Sequence, residues 1–200
     1  MAEAANINID DAVLVRQCRR GDSTAMQRLL LKYQNRIYNV IFRMCPNVDD
    51  AAELTQDTFV KIIENIGNFR GQSSFYTWAF RIAVNLTLNY RSRAARGSRS
   101  SLDAVDETDL QAKEALKQFL CDESSPDPAA VAANKELCEL VIKALMELDD
   151  PQRAVVVLRD IEGMNYAQIA DVLDTELGTV KSRLSRARSN LREIMESISK

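Results

Sequence analysis

The chain has 200 residues, a formal net charge of -3 at pH 7, 46% hydrophobic residues and 28% charged residues. This length suits one large domain or two small ones, and the composition is typical of a water-soluble chain with an apolar core. We find no apolar run long enough to span a membrane. Residues 1–11 also lack the basic start and apolar centre of a signal peptide. The sequence therefore predicts a cytoplasmic protein.

Histidine is absent from the sequence, and the four cysteines are Cys18, Cys45, Cys121 and Cys138. Because their spacings match no zinc or redox motif, we expect no metal site and no cofactor, and we interpret the cysteines as buried or incidental thiols. Histidine is also the commonest acid–base group near neutral pH. Since we find no phosphate-binding loop, nucleophile elbow or paired carboxylates either, we do not expect an enzyme.

Hydrophobic periodicity predicts a compact bundle of four helices over residues 10–96. The first helix ends at Gly21, and Asp22 caps the second helix, which Pro46 breaks. The third and fourth helices are predicted over about residues 49–66 and 75–93, with a loop over 67–74 between them.

The end of this first module is basic and aromatic. Residues 65–102 carry six arginines, no acidic residue and half of the twelve aromatic residues of the chain. Arginine attracts phosphate, and aromatic rings stack on bases that have left a duplex, so the pattern indicates a surface for single-stranded nucleic acid. A packed helix with core aromatic rings and solvated arginines is the alternative, and it is the commoner meaning of such a pattern in an arbitrary helix.

Residues 97–133 are predicted to be a flexible acidic linker. They are rich in Ser, Asp, Glu and Ala, and the prolines within 124–128 disfavour a continuous helix. A short helix over about residues 110–120 is compatible with the apolar spacing there. The linker divides the chain into two small helical domains, so the predicted fold class is all-α.

The second module is predicted over residues 134–200. A first helix over about 135–148 is followed by one that Asp150 caps, with Pro151 at its first position. Asn165 then caps a short helix, and Thr175 caps a long final helix. Two short helices and a tight turn before a basic helix match the helix-turn-helix motif.

The final helix has two distinct faces. The apolar stripe consists of Val180, Leu184, Ala187, Leu191, Ile194 and Ile198. Serines lie along the middle of the opposite face. The cations beside them are Lys181, Arg183, Arg186, Arg188 and Arg192. Small side chains let a helix approach the floor of a major groove, while flanking cations reach phosphates. A solvated basic helix is the alternative, but no acidic residue within residues 178–191 supplies the usual i,i+4 ion pairs.

Four segments resemble extracytoplasmic-function (ECF) sigma factors. Residues 68–85 (NFRGQSSFYTWAFRIAVN) resemble region 2 of that family, and residues 178–188 (GTVKSRLSRAR) resemble the recognition helix of its region 4. Residues 166–170 (YAQIA) are similar to the preceding helix, and residues 53–59 (ELTQDTF) to the segment that binds core RNA polymerase. The resemblance implies a protein that binds core RNA polymerase, recognises the -35 and -10 promoter elements and helps to open the DNA.

The resemblance also implies a role for particular residues. Contacts to the clamp helices of the largest polymerase subunit would come from Glu53, Gln56, Asp57 and Phe59. The -10 element would meet Phe69, Arg70, Ser74, Phe75, Tyr76, Arg81, Asn85, Asn89, Arg91 and Arg93, and the loop over 69–74 would hold a flipped base of the non-template strand. We expect Trp78 to be a core residue. The -35 duplex would meet Thr179, Lys181, Ser182, Arg183, Ser185, Arg186 and Arg188.

Further partners and rival functions follow from the same pattern. Members of the family are commonly held inactive by an anti-sigma factor, often membrane-bound, so the resemblance implies such a partner. A helix-turn-helix regulator that binds only duplex DNA would explain the second module but not the basic aromatic segment. An interaction protein that occupies polymerase without using DNA is a second rival, and a nucleic-acid-processing enzyme is a third.

Overall fold

The structure is a computed structural model, which describes residues 11–98, 141 and 143–198. In chain order, its elements are α1 (11–18), α2 (Ser23–Met44), α3 (Val48–Asn65), a 3-10 turn (Ile66–Asn68), α4 (Phe75–Ser98), α5 (141 and 143–147), α6 (Asp150–Val156), a π-helical turn (Val157–Ile161), α7 (Tyr166–Val172) and α8 (Leu177–Ile198). The predicted all-α class is confirmed. Most of the predicted linker, including the predicted helix over 110–120, lies outside the described residues.

Side-chain caps begin several helices where the sequence predicts them. Asp22 Oδ1 accepts hydrogen bonds from the backbone N–H groups of Thr24 and Ala25 at 2.9 and 3.0 Å, which starts α2. Asn165 and Gln168 form a reciprocal capping box at the start of α7. These bonds satisfy amides that the first turn of a helix leaves without a partner, so the boundaries follow from local sequence.

Two caps differ from the prediction. Asp149 caps α6 by accepting a hydrogen bond from Gln152 N at 2.7 Å. The predicted cap, Asp150, is instead the first helical residue, and its carboxylate pairs with Arg91 of α4. Glu176, not Thr175, stands immediately before α8, because the Glu176 carbonyl accepts the first helical hydrogen bond of that helix.

The apolar side chains of both modules form one contiguous core. In the first module α2, α3 and α4 pack together, and the largest fully buried side chains there include Leu29, Ile37, Ile41, Phe42, Ile62 and Phe80. In the second module α8 packs on α6 and α7 through Val180, Leu184 and Ala187. Contacts between α4 and α7, and between α2 and the π-helical turn, join the two modules.

Two cysteines lie in this core. Cys18 and Cys45 are buried free thiols, and burial is the main cause that raises the pKa of Cys45 to about 11. A thiol that stays protonated near neutral pH is a weak nucleophile, so these two residues act as small apolar side chains. Cys121 and Cys138 lie outside the described residues.

Candidate nucleic-acid and polymerase interfaces

The loop over residues 69–74 is held rigidly between two helix ends. Ile66 is buried and anchors the 3-10 turn before the loop. Gly71 adopts a φ of 73°, a left-handed conformation that glycine adopts without strain. At the other end, Ser74 Oγ accepts a hydrogen bond from Thr77 N at 3.1 Å and so caps α4. Anchoring at both ends gives the loop a defined shape.

A cavity of about 500 Å³ lies between this loop and α1. We name it the loop cavity, and its lining residues are Asp11, Ala12, Val15, Arg16, Arg19, Phe69, Arg70, Gly71, Ser73, Ser74 and Phe75. The half-buried ring of Phe69 forms its aromatic wall. That ring packs against Trp78 with 5.1 Å between centroids and edge-on against Phe75 at 6.2 Å. The cavity therefore combines an aromatic wall, hydroxyl groups and arginines in the volume range of a small-ligand site.

Burial corrects the expected role of one aromatic residue. Phe75 is only 4% exposed and packs against Tyr33, Phe69 and Trp78. Its ring supports the loop cavity from the protein side, so in this conformation its face is not available for stacking on DNA. Trp78, which we expected in the core, is half-buried and packs against the edge of the core.

A second cavity of about 350 Å³ lies between α3 and α4 and collects side-chain amides. The predicted residues Asn85 and Asn89 line it together with Asn65, Asn68, Lys61 and Trp78. Amide side chains both donate and accept hydrogen bonds, which lets them read base edges. Asn65 and Asn68 were not predicted, because they are distant in sequence from α4 and only packing brings them beside it.

Three of the predicted -10 residues contact the second module. Arg81 pairs with Asp171 of α7 at 2.7 Å, and Arg91 Nε donates to Asp150 Oδ1 of α6 at 2.5 Å. The Tyr76 hydroxyl donates to Glu162 Oε2 at 3.3 Å. Burial, followed by the charge of Glu162, raises the pKa of Tyr76, so this hydroxyl remains a donor. Carboxylates of the second module thus engage two arginines and one hydroxyl donor that DNA phosphates would otherwise attract.

Helix α8 shows the predicted two-sided pattern. Val180, Leu184 and Ala187 are buried. Lys181, Ser182, Ser185, Arg186 and Arg188 are exposed, while Thr179 and Arg183 are partly exposed. Arg186 Nε donates to the Ser182 carbonyl at 3.4 Å, a weak bond that leaves most of its guanidinium open. Arg188 instead forms an ion pair with Asp160 of the π-helical turn.

The outer face of α3 is acidic with apolar residues beside the acids. Glu53, Gln56 and Asp57 are exposed, and Phe59 is half-buried. Val60 and Ile63 are 50% and 49% exposed. They follow Gln56 at helical spacing, so they share its face. Sequence reasoning missed these two residues, although the i, i+4, i+7 spacing was a readable signal.

Among the described residues, no three His, Cys, Asp or Glu side chains gather in a way that could hold a metal ion. In the same part of the chain, no helix has the length and apolarity needed to cross a membrane. Apart from the acidic face of α3, the groups that line the two cavities and the outer face of α8 are mainly cations, amides, hydroxyls and aromatic rings. These groups bind and position nucleic acid.

Comparison with known proteins agrees with this geometry. Residues 29–97 match the family model for Sigma-70 region 2, and residues 138–191 match that for Sigma-70, region 4. The chain is 33% identical over 181 residues to the ECF RNA polymerase sigma-E factor of Salmonella typhimurium, covering 90% of this chain and 91% of the relative. It is 35% identical over 187 residues to the RNA polymerase sigma-H factor of Pseudomonas aeruginosa, covering 93% and 94%.

A solved structure of CnrH in complex with the cytosolic domain of CnrY has a similar fold. Its TM-score is 0.65 at 25% sequence identity, and the match covers 94% of this chain and 98% of CnrH. The match therefore spans both helical modules. Two region models and sigma relatives of nearly equal length lead to one assignment. The chain belongs to the ECF family of RNA polymerase sigma factors.

Proposed function

We propose that this chain directs core RNA polymerase to promoters by gripping duplex DNA with α8 and capturing an unpaired base in the loop cavity. Residues 10–96 would bind polymerase and the -10 element, residues 134–200 would bind the -35 element, and residues 97–133 would connect them. The observation that supports the proposal is that one chain carries two different cationic surfaces, the outer face of α8 and the arginine-lined loop cavity with its aromatic wall. A regulator that binds only duplex DNA would not need the loop cavity.

The -35 contact rests on the exposed face of α8. Its outermost positions are Ser182 and Ser185, and Lys181, Arg183 and Arg186 stand beside them. A helix of ordinary diameter enters a major groove of roughly 12 Å, where small side chains permit close approach. Thr179 lies at the start of the helix, and Arg188 would reach phosphate after leaving Asp160.

Promoter opening is explained by capture of the open state. Unstacking a base step costs a few kcal/mol, and stacking on an aromatic ring returns about 1–3 kcal/mol per captured base. Phe69 supplies the ring, Arg70 and Ser74 stand beside it, and Asn85 and Asn89 line the neighbouring amide cavity. Arg91 and Arg93 would hold the backbone. Such a population shift needs no catalytic residue.

Polymerase binding is assigned to the outer face of α3. Glu53 and Asp57 give this face a negative charge, which is unsuited to DNA, and Gln56 adds a neutral polar side chain beside them. Phe59, Val60 and Ile63 add apolar area beside those polar groups. An acidic rim around exposed apolar side chains is a pattern found at protein–protein interfaces.

An anti-sigma partner is also part of the proposal. The structural neighbour CnrH is solved with the cytosolic domain of CnrY, and that neighbour matches across both modules. We propose that a comparable protein, in many cases tethered to a membrane, covers the promoter-binding surfaces of this chain in the cytoplasm. Binding of the chain to purified core polymerase, and its loss when the partner is added, tests this assignment.

Replacing Phe69 with alanine should impair promoter opening more than initial duplex binding. Loss of one stacked base corresponds to about 1–3 kcal/mol, or a reduction of roughly 5-fold to 150-fold in the open-complex equilibrium. Phe69→Leu is the matched control for packing, because leucine keeps apolar volume against Trp78 but has no ring face. Permanganate footprinting measures opening, and a competition assay measures the closed complex. Equal losses in both steps would contradict base capture.

Replacing Arg186 with alanine should weaken binding to the -35 duplex. If Arg186 reads a base, the loss is about 1–3 kcal/mol and selectivity at that position relaxes; if it meets phosphate, the salt slope falls by about 1. Fluorescence anisotropy of holoenzyme with labelled duplex at several salt concentrations separates these results. Arg28, an exposed arginine of α2, serves as the control. Affinity and slope identical to the Arg28→Ala protein would remove Arg186 from the interface.

A further inference from the structure

Helix α1 lines the side of the loop cavity that lies opposite the loop over residues 69–74. Arg16 of this helix and Arg19, one residue beyond its end, both line the cavity, and both side chains are exposed. Arg19 N donates to the Val15 carbonyl at 3.0 Å, which continues the helical turn, so the two arginines lie on the same face. The third cation of the cavity, Arg70, comes from the loop itself. The cavity therefore has arginines on two opposing sides.

The position of α1 is fixed by buried contacts. Asp11 is only 3% exposed; its carboxylate accepts hydrogen bonds from the Tyr33 hydroxyl and from Lys32 Nζ, the latter at 2.6 Å. Val15 and Cys18 are buried against the core. Because these contacts set the rotation of α1 about its axis, Arg16 and Arg19 are held on the cavity side and are not randomly oriented on a loose segment.

The charge of the cavity is unbalanced. Its lining contains the three arginines and one acid, Asp11, whose charge Lys32 already offsets. Within residues 11–98, 141 and 143–198, neither Arg16, Arg19 nor Arg70 forms an ion pair. A ligand that satisfies this cavity must carry anionic groups beside a flat apolar group that packs on Phe69. A nucleotide of a single strand has both, since its base stacks and its phosphates are charged.

We propose that Arg16 and Arg19 bind the phosphates that flank the nucleotide captured by the loop, so that α1 is a positioning element of strand capture. This inference rests on the proposed function of the loop cavity and adds a residue pair that neither sequence motif contains. Phe69 holds the base from one side, and α1 holds the backbone from the other. The two contacts together fix the orientation of the flipped base. With stacking as its only contact, the base could still rotate on the ring.

The test uses holoenzyme and a short non-template-strand oligonucleotide from a promoter that the holoenzyme opens. For the Arg16→Ala/Arg19→Ala protein, loss of two phosphate contacts should lower the salt slope of oligonucleotide binding by about 1.4. Between about 50 and 200 mM salt, the affinity of this variant should then fall roughly sevenfold less than that of the wild type. Its binding to core polymerase and to -35 duplex should be unchanged.

Two matched variants sharpen the result. Arg20→Ala/Arg28→Ala removes the same charge from exposed positions outside the cavity and should keep the wild-type slope. Arg16→Lys/Arg19→Lys keeps the charge and should restore most of the slope. A slope for Arg16→Ala/Arg19→Ala equal to that of Arg20→Ala/Arg28→Ala overturns this inference alone. Failure of the wild-type holoenzyme to bind any single strand overturns the proposed function, and this inference with it.

Discussion

Replacing Arg153 with methionine is expected to lower the free energy of unfolding of the full chain by roughly 3–5 kcal/mol, because each buried carbonyl left without a donor costs about 1–3 kcal/mol. Arg153 is 4% exposed. Its guanidinium donates to the carbonyls of Leu145, Met146 and Leu148 at 2.8, 2.7 and 2.9 Å, and to Met44 of the first module at 3.0 Å. Methionine keeps much of the apolar stem but donates nothing, so the buried carbonyls lose their partner.

Urea denaturation followed by far-ultraviolet circular dichroism measures this loss. Arg192→Met is the control, since Arg192 is exposed on α8 and its replacement should change stability by no more than about 0.5 kcal/mol. Because one of the four carbonyls belongs to Met44, the transition of the first module should also shift. Equal midpoints for the two variants would show that Arg153 does not stabilise the fold.

Replacing Glu162 with alanine is expected to separate the two modules. The Glu162 side chain is 7% exposed and is bound by Arg36 at 3.1 Å, by Arg43 at 3.6 Å and by the Tyr76 hydroxyl. Arg43 is itself buried, and its Nε has no hydrogen-bond partner in the described part of the chain. Removing the carboxylate leaves a buried unpaired cation, which costs roughly 3–5 kcal/mol. Separation of the modules would return Arg43 to water.

Small-angle scattering of the dilute full chain tests this expectation, because separation raises the radius of gyration. Asp160→Ala is a close control: Asp160 lies in the π-helical turn two residues before Glu162, but its partner Arg188 belongs to the same module. That variant should scatter like the wild type. If Glu162→Ala also scatters like the wild type, the Glu162 cluster does not hold the modules together.

Separation of the modules has a consequence for DNA binding. Arg81, Arg91 and Tyr76 are all engaged by carboxylates of the second module in the packed arrangement. Phosphates and these carboxylates are both anions, so they compete for the same cations. The Glu162→Ala protein should therefore bind a single-stranded -10 oligonucleotide more tightly than the wild type does.

Short-range patterns in the sequence predict most of the helices and which of their faces are apolar. Asp22 and Asn165 cap helices through bonds to amides two or three residues away, and the apolar stripe of α8 follows from 3.6-residue periodicity. The family motifs located the loop over 69–74 in the same way, because their residues are contiguous. Each of these features depends on near neighbours in the chain.

Which charged groups form ion pairs depends on the packing of segments that are far apart in the chain. Arg36 reaches Glu162 across 126 positions, and Arg91 reaches Asp150 across 59. The residues next to each arginine do not indicate its partner, since any other carboxylate in the sequence could form the same ion pair. The burial of Phe75 and the place of α1 beside the loop cavity also arise from packing of distant segments. Local spacing fixes which face of a helix is apolar, whereas the global arrangement fixes what that face covers.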